Sequence, residues 1–162
     1  MNIVAITEND WEDLKEIRLS SLKESPEAFG VSYHEASNYA PEDWKLRASE
    51  NVGPRFILAY KGEMPIGLIG GIFANNEYEL ISMWVSPIYR RNRLGIQLVN
   101  ALKGYAAEQG HSEIMLRVSP TNKSACHLYI KCGFCIVGEA GVLTGNDIGN
   151  LQKMVWAGCI KP

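Results

Sequence analysis

The stretch Val85-Ser86-Pro87-Ile88-Tyr89-Arg90-Arg91-Asn92-Arg93-Leu94-Gly95 constrains this chain more than any other part of it. An apolar run ends at Val85, a loop with three arginines follows, and an amphipathic pattern starts at Leu94. A strand, a cationic loop and a helix are therefore expected in that order. The helix N-terminus is the positive end of its dipole, so each cation placed there costs about 0.3–1 kcal/mol. A charge-assisted hydrogen bond to phosphate returns roughly 1.5–3 kcal/mol. An anion among the arginines outweighs the repulsion, and the loop reads as a phosphate cradle.

The flanking sequence supports that placement. Phe56–Tyr60, Ile66–Phe73 and Tyr78–Val85 have strand character, and Lys61-Gly62-Glu63 and Asn75-Asn76 between them are turn-like, which predicts an antiparallel meander. Leu94, Leu98, Leu102 and Ala106 mark one helical face, closed by Gly110. Ile114–Val118 reads as a strand, and a helix after Asn122 carries Ala125, Leu128 and Cys132 on one stripe. Phe134–Gly138 and Leu151–Ala157 supply two closing strands. Ahead of the meander, residues 2–6 form a short strand and Thr7-Glu8-Asn9-Asp10 resembles a capping box. Trp11, Leu14, Ile17 and Leu22 then recur at helical spacing until Pro26 stops them. An irregular polar stretch runs to Ala40, and Pro41-Glu42-Asp43-Trp44 opens a short helix. With no repeat, low-complexity tract or linker, residues 1–162 are expected to form one mixed α/β domain, a mostly antiparallel sheet flanked by helices.

Composition removes several functions. The net charge is −2, whereas a nucleic-acid module carries a broad basic face. No apolar run approaches the length of a membrane span. Met1-Asn2-Ile3-Val4-Ala5-Ile6 has neither a basic leader nor a long apolar segment, so a cytoplasmic protein is expected. Cys126, Cys132, Cys135 and Cys159 crowd the last quarter, and Cys132-Gly133-Phe134-Cys135 matches C-x-x-C. Zinc needs a second ligand pair, which the sequence does not offer, and Gly133 as a helix C-cap places the two thiols on different elements. Structural thiols in a reducing compartment, and no metal, are the expectation.

Neither a Walker A loop nor a G-x-G-x-x-G fingerprint occurs. What remains is Arg90-x-x-Arg93-x-Gly95 leading into an amphipathic helix, which resembles the loop signature R/Q-x-x-G-x-G/A of the GCN5-related N-acetyltransferase (GNAT) family. Tyr78-Glu79-Leu80 through Val85-Ser86-Pro87 looks like the family's fourth strand. The segment from Asn122 to Phe134 is similar to its N-x-x-A-x-x-L-Y-x-x-x-G-F block. The matches span Arg55 to Val137. One departure stands out: Arg93 occupies the first glycine of the signature, where a missing side chain lets backbone approach a ligand closely. Arg93 is expected either to turn outward or to contact a phosphate.

The resemblance implies the acyl-CoA N-acyltransferase (GNAT) fold, acetyl-CoA as co-substrate and an amine acceptor as partner, whether the chain acts alone or as a homodimer. It implies that backbone N–H groups of Arg91, Asn92, Arg93, Leu94, Gly95 and Ile96 hold the pyrophosphate, with Arg90 adding charge. Met83, Trp84 and Val85 would bond the pantetheine arm as a neighbouring strand does, one N–H polarising the thioester carbonyl. Asn122 would contact the coenzyme through its amide. Tyr129 matches the family tyrosine that protonates the departing thiolate, and Glu79 matches one location of the base that deprotonates the amine. Arg117 stands where other branches place that base and cannot serve. Acetyl transfer would then be direct, within a ternary complex, to an amine of a small molecule or a protein terminus. A non-catalytic acyl-CoA sensor is the alternative. Acceptor choice is expected from Ser25–Trp44 and the segment before Leu151, where Glu24, Glu27, Glu35, Glu42 and Asp43 could attract a cation.

Overall fold

The computed structural model describes residues 1–26, 31–51, 53–138 and 151–158. Its strands are β1 (Asn2–Ala5), β2 (Arg55–Lys61), β3 (Met64–Ala74), β4 (Glu77–Val85), β5 (Glu113–Val118), β6 (Cys135–Val137) and β7 (Gln152–Ala157). Its helices are α1 (Trp11–Glu24), α2 (Tyr33–Ser37), α3 (Pro41–Ala48), α4 (Leu94–Glu108) and α5 (Lys123–Lys131). All seven strands join one sheet in the order β1-β2-β3-β4-β5-β7-β6. Pairing is antiparallel throughout except between β4 and β5, which run parallel. The meander read from the sequence is β2-β3-β4.

Alternation along the strands divides the core in two. Ile57 and Ala59 of β2 face one side with Leu94, Leu98, Leu102 and Ala106 of α4 and Tyr129 of α5. Phe56 and Leu58 face the other side with Leu14, Ile17 and Leu22 of α1 and Trp44 of α3. Leu98 and Leu102 are fully buried, each contributing about 1.5–3 kcal/mol by leaving water.

Local chemistry sets the helix ends. The Asp10 carboxylate accepts from the Thr7 backbone N–H at 2.9 Å, one half of the expected capping box, and a 3-10 turn at Glu8–Asp10 leads into α1. Pro41 opens α3 while Asp43 accepts from the Ala40 N–H at 3.0 Å. Gly133, at φ 90°, ends α5, so Cys132 lies buried at the helix end and Cys135 is exposed on β6, on separate elements as the glycine implied. The stretch expected to be irregular up to Ala40 contains α2. Ser32 caps it by accepting from the Glu35 N–H at 3.0 Å, and Ala36 is its one buried residue. A single-turn helix with one apolar contact has no periodicity to detect.

Candidate active site at the fork between β4 and β5

Strand β4 pairs with β5 at a single position, Glu79 with Met115. Beyond Glu79 the strand has β3 on one side and, among the described residues, no ladder partner on the other, so its backbone groups on that side are left to be satisfied by something else. A bulge falls in this free portion. The register with β3 shifts between Leu68 and Gly70, and Ser82 holds φ 57°. Its effect shows in the burial: Tyr78 and Leu80 face the α4 side, and after the extra residue Met83 and Val85 do so. Trp84 is turned to the α1 side.

The loop after β4 presents backbone donors. Ser86 N–H bonds to Ile66 O at 2.9 Å, and Pro87–Tyr89 make a 3-10 turn. Arg91 and Arg93 both hold φ 65°. Arg93 is the N-cap of α4, at ψ 7°, and its carbonyl accepts the first helical bond from Gln97 N–H at 3.1 Å. The N–H groups of Leu94, Gly95 and Ile96 therefore have no helical acceptor. No side chain caps them, and the first turn contains no acidic residue. A left-handed residue followed by a helical one curls successive N–H groups into a concave anion site at the positive end of the dipole. Such a cradle suits an anionic group. Leu94 itself is buried and anchors the helix start in the core.

Of the three arginines, the side chains of Arg91 and Arg93 make no hydrogen bond or ion pair among the described residues, whereas that of Arg90 is held on both sides. Its Nε donates to Val85 O at 2.8 Å, and its two terminal nitrogens reach the Glu24 carboxylate at 2.9 and 3.3 Å. Glu24 also accepts from Trp84 Nε1 at 2.9 Å. Hydrogen bonds from Arg90 first, then Ser25 and Trp84, bring the Glu24 carboxyl down to about 2. Asn92 is exposed in the loop between Arg91 and Arg93.

The other candidates converge from α5. A Cβ placed on Gly95 would lie 3.2 Å from Leu128 Cδ2 and 3.4 Å from Met83 Cε, so α4, α5 and β4 touch at this glycine. Asn122 is the N-cap of α5; its Oδ1 accepts from Ala125 N–H at 3.3 Å, and its amide nitrogen makes no bond among the described residues. Tyr129 is buried in the cluster that contains Val85, Leu94 and Val118. Its ring meets Phe134 edge-on with centroids 5.8 Å apart. Burial pushes the phenol far above its ordinary range, so it carries its proton at neutral pH.

Glu79 stands at the vertex of the fork, where an Arg117 nitrogen lies 3.0 Å from its carboxylate. Nothing in the sequence signals this pair, since the partners are joined only through strand pairing. Neither did it reveal Glu24 as the partner of Arg90, or the bulge at Ser82. Two of the acidic residues considered for cation attraction are engaged locally, Glu24 with Arg90 and Trp84, and Asp43 with the Ala40 N–H. Glu27 and residues 139–150 lie outside the described residues. Among the described residues no group of His, Cys, Asp or Glu could hold a metal ion, and no helix is long and apolar enough to cross a membrane.

Residues 11–134 match the acetyltransferase (GNAT) family. The probable N-acetyltransferase family 8 member 5 of Mus musculus is 27% identical over 99 residues, which are 57% of this chain and 44% of the mouse protein. The chain thus spans less than half the length of that relative. PaiA N-acetyltransferase from Thermoplasma acidophilum, solved in complex with coenzyme A, aligns with a TM-score of 0.70 at 21% identity, over 96% of this chain and 98% of that one. An acetyltransferase of the GNAT family from Streptococcus pneumoniae aligns with a TM-score of 0.79 at 17% identity, over 98% and 99%. At these identities the structural likeness speaks for the fold. The family match takes in most of the sequence and every element that meets at the fork, so the chain belongs to the acetyltransferase (GNAT) family.

Proposed function

We propose that the chain works as one N-acetyltransferase domain, moving the acetyl group of acetyl-CoA to a primary amine within a ternary complex. One observation carries this reading: the uncapped, acid-free N-terminus of α4 follows directly from a strand that loses its ladder partner beyond Glu79. Acetyl-CoA, when bound, supplies an acyl group already activated as a thioester.

The chain's own residues do the rest. N–H groups of Arg91 to Ile96 hold the pyrophosphate. The free backbone of Met83, Trp84 and Val85 holds the pantetheine arm, and one of its N–H groups stabilises charge developing on the thioester oxygen. Arg90, neutralised by Glu24, fixes the end of β4 rather than a phosphate. Asn122 turns its amide nitrogen to the coenzyme. As the carbon–nitrogen bond forms and the carbon–sulfur bond breaks, Glu79 takes the amine's proton and Tyr129 gives one to the thiolate.

Titration calorimetry with acetyl-CoA, followed by a thiol-release assay over a panel of amines, tests the reading. Binding and amine-dependent thiol release are expected. Absence of binding would overturn it, and binding with no turnover on any amine would make the chain an acyl-CoA sensor. Tyr129→Phe should lower kcat about a hundredfold or more without changing acetyl-CoA affinity.

A further inference from the structure

The sheet face opposite α4 and α5 is only half covered among the described residues. The second core buries residues of β2 and β3 and Trp84 of β4 under α1 and α3, and none of β5 or β7. The remaining half carries five charges on neighbouring strands: Glu77 and Glu79 of β4, Glu113 and Arg117 of β5 and Lys153 of β7. Arg117 and Lys153 are direct cross-strand partners, an arrangement of like charges that is unfavourable in isolation. Both reach across to β4 instead: Arg117 lies 3.0 Å from Glu79, and Lys153 lies 2.6 Å from Glu77. Ile81, Met115 and Val155 share this face, Met115 and Val155 as cross-strand partners.

We infer that the acceptor is a zwitterionic amine, with a carboxylate beside its amino group and an apolar side chain. This rests on the acetyltransferase reading and names the substrate class of the same site. An acceptor's ammonium must come to Glu79, at the vertex of the fork, and there it meets Arg117 already in contact with that carboxylate. A simple amine that displaces Arg117 leaves a guanidinium unpaired beside a bound cation. A polyamine adds further positive charge next to Arg117 and Lys153. A zwitterion exchanges partners without loss: its ammonium takes Glu79, and its carboxylate takes Arg117, with Lys153 alongside. Because the two protein groups are in contact, the two charges of the acceptor must be close neighbours, as they are on one carbon of an amino acid. Ile81 and Val155, both half-buried, then face its side chain, with Met115 buried beneath them. The carboxylates that could have drawn in a polycation from the α1–α3 side include Glu24 and Asp43, and both are engaged with the protein itself.

The test is a thiol-release assay with matched triplets built on leucine, methionine and phenylalanine: the amino acid, its carboxamide and its decarboxylated amine, with spermidine alongside. The amino acid should lead each triplet in kcat/KM by about tenfold or more. Arg117→Gln and Lys153→Gln should bring the ratio of amino acid to decarboxylated amine in kcat/KM down to about one, and Arg117→Lys should restore part of it. Melting temperatures report that the variants remain folded. Decarboxylated amines, carboxamides or spermidine turned over as well as the amino acids would overturn the zwitterion assignment alone. Equal losses for every acceptor in Arg117→Gln would also overturn it, by making Arg117 a residue that only positions Glu79. Failure of every amine while acetyl-CoA binds would overturn the acetyltransferase reading, and this inference with it.

Discussion

Glu24, the last residue of α1, and Arg90, 66 positions later, form a two-point ion pair with contacts of 2.9 and 3.3 Å. The pair is tied to the end of β4 from both sides, since Glu24 accepts from Trp84 and Arg90 donates to Val85 O. A carboxylate at the end of α1 thereby sets the position of the end of β4. Glu24→Gln keeps the size but loses the charge. It is expected to raise the KM for acetyl-CoA several-fold and to leave kcat within about twofold, since a bond that only positions the strand acts mainly on binding. Steady-state kinetics check this, and a fall in kcat alone would assign Glu24 to the chemistry instead.

The same pair gives a pH signature. The folded carboxyl sits at about 2, below its ordinary 4.5, chiefly because of Arg90. Its contribution is therefore present above pH 4.5 and disappears as pH falls toward 2. Both side chains are more than a third exposed, so solvent screening limits the pair to about 0.5–1 kcal/mol. Denaturant titrations from neutral to acid pH should show the wild type losing that increment over this window, and Glu24→Gln should not show it.

Arg93 holds φ 65° where the family signature has glycine. The cradle thus retains the left-handed backbone that glycine favours, and the arginine bears the steric cost. A side chain in that region costs roughly 1–2 kcal/mol. Arg93→Gly should raise the melting temperature by about 2–4 °C, and Arg93→Ala, which removes the charge but keeps Cβ, should not. Differential scanning calorimetry of both variants separates backbone relief from charge.

What the sequence could convey divides by the range of the interaction. The strand, the arginine loop and the helix at Leu94 were legible because each depends on residues within a turn or two. The two blocks that resemble the family also placed Tyr129 and Asn122 on α5. Legibility failed where partners come together only through the sheet. Arg90 was read as a charge for the coenzyme because its partner lies 66 residues earlier. Arg117 was dismissed as a failed base, yet it meets Glu79 across the fork. Ser82 is an ordinary strand residue by type, so nothing in the sequence marked the bulge that turns Met83 and Val85 toward α4. The short α2 was missed because its stability comes from Ser32 and one buried alanine.

Gly95 is the contact point of three elements, and its substitution sets helix propensity against packing. Alanine is favoured over glycine in a helix by about 1 kcal/mol. A Cβ there would press on Leu128 at 3.2 Å and Met83 at 3.4 Å, both flexible side-chain ends. Gly95→Ala should therefore keep the melting temperature within a few degrees while raising the KM for acetyl-CoA about tenfold, because the displaced side chains narrow the approach to β4. Unchanged affinity would show that the gap beside Met83 is not where the coenzyme lies.

Glu79 offers the last and most direct test of the chemistry at the fork. Attack requires a neutral amine, and a free amino acid or alkyl amine, with a pKa of roughly 9–10, is almost wholly protonated at about pH 7. A carboxylate at the vertex removes that proton where the reaction occurs, and loss of a general base of this kind lowers rates by about 10²–10⁴-fold. Glu79→Gln should therefore depress kcat/KM strongly at about pH 7, and the deficit should shrink as the pH approaches the acceptor's own amine pKa at roughly 9–10, where solvent delivers the neutral amine. The substitution also frees Arg117 from its partner, so acetyl-CoA affinity measured in parallel guards against a general disturbance of the fork. A deficit that stays constant from about pH 7 to 10 would mean that Glu79 only binds the acceptor and does not take its proton.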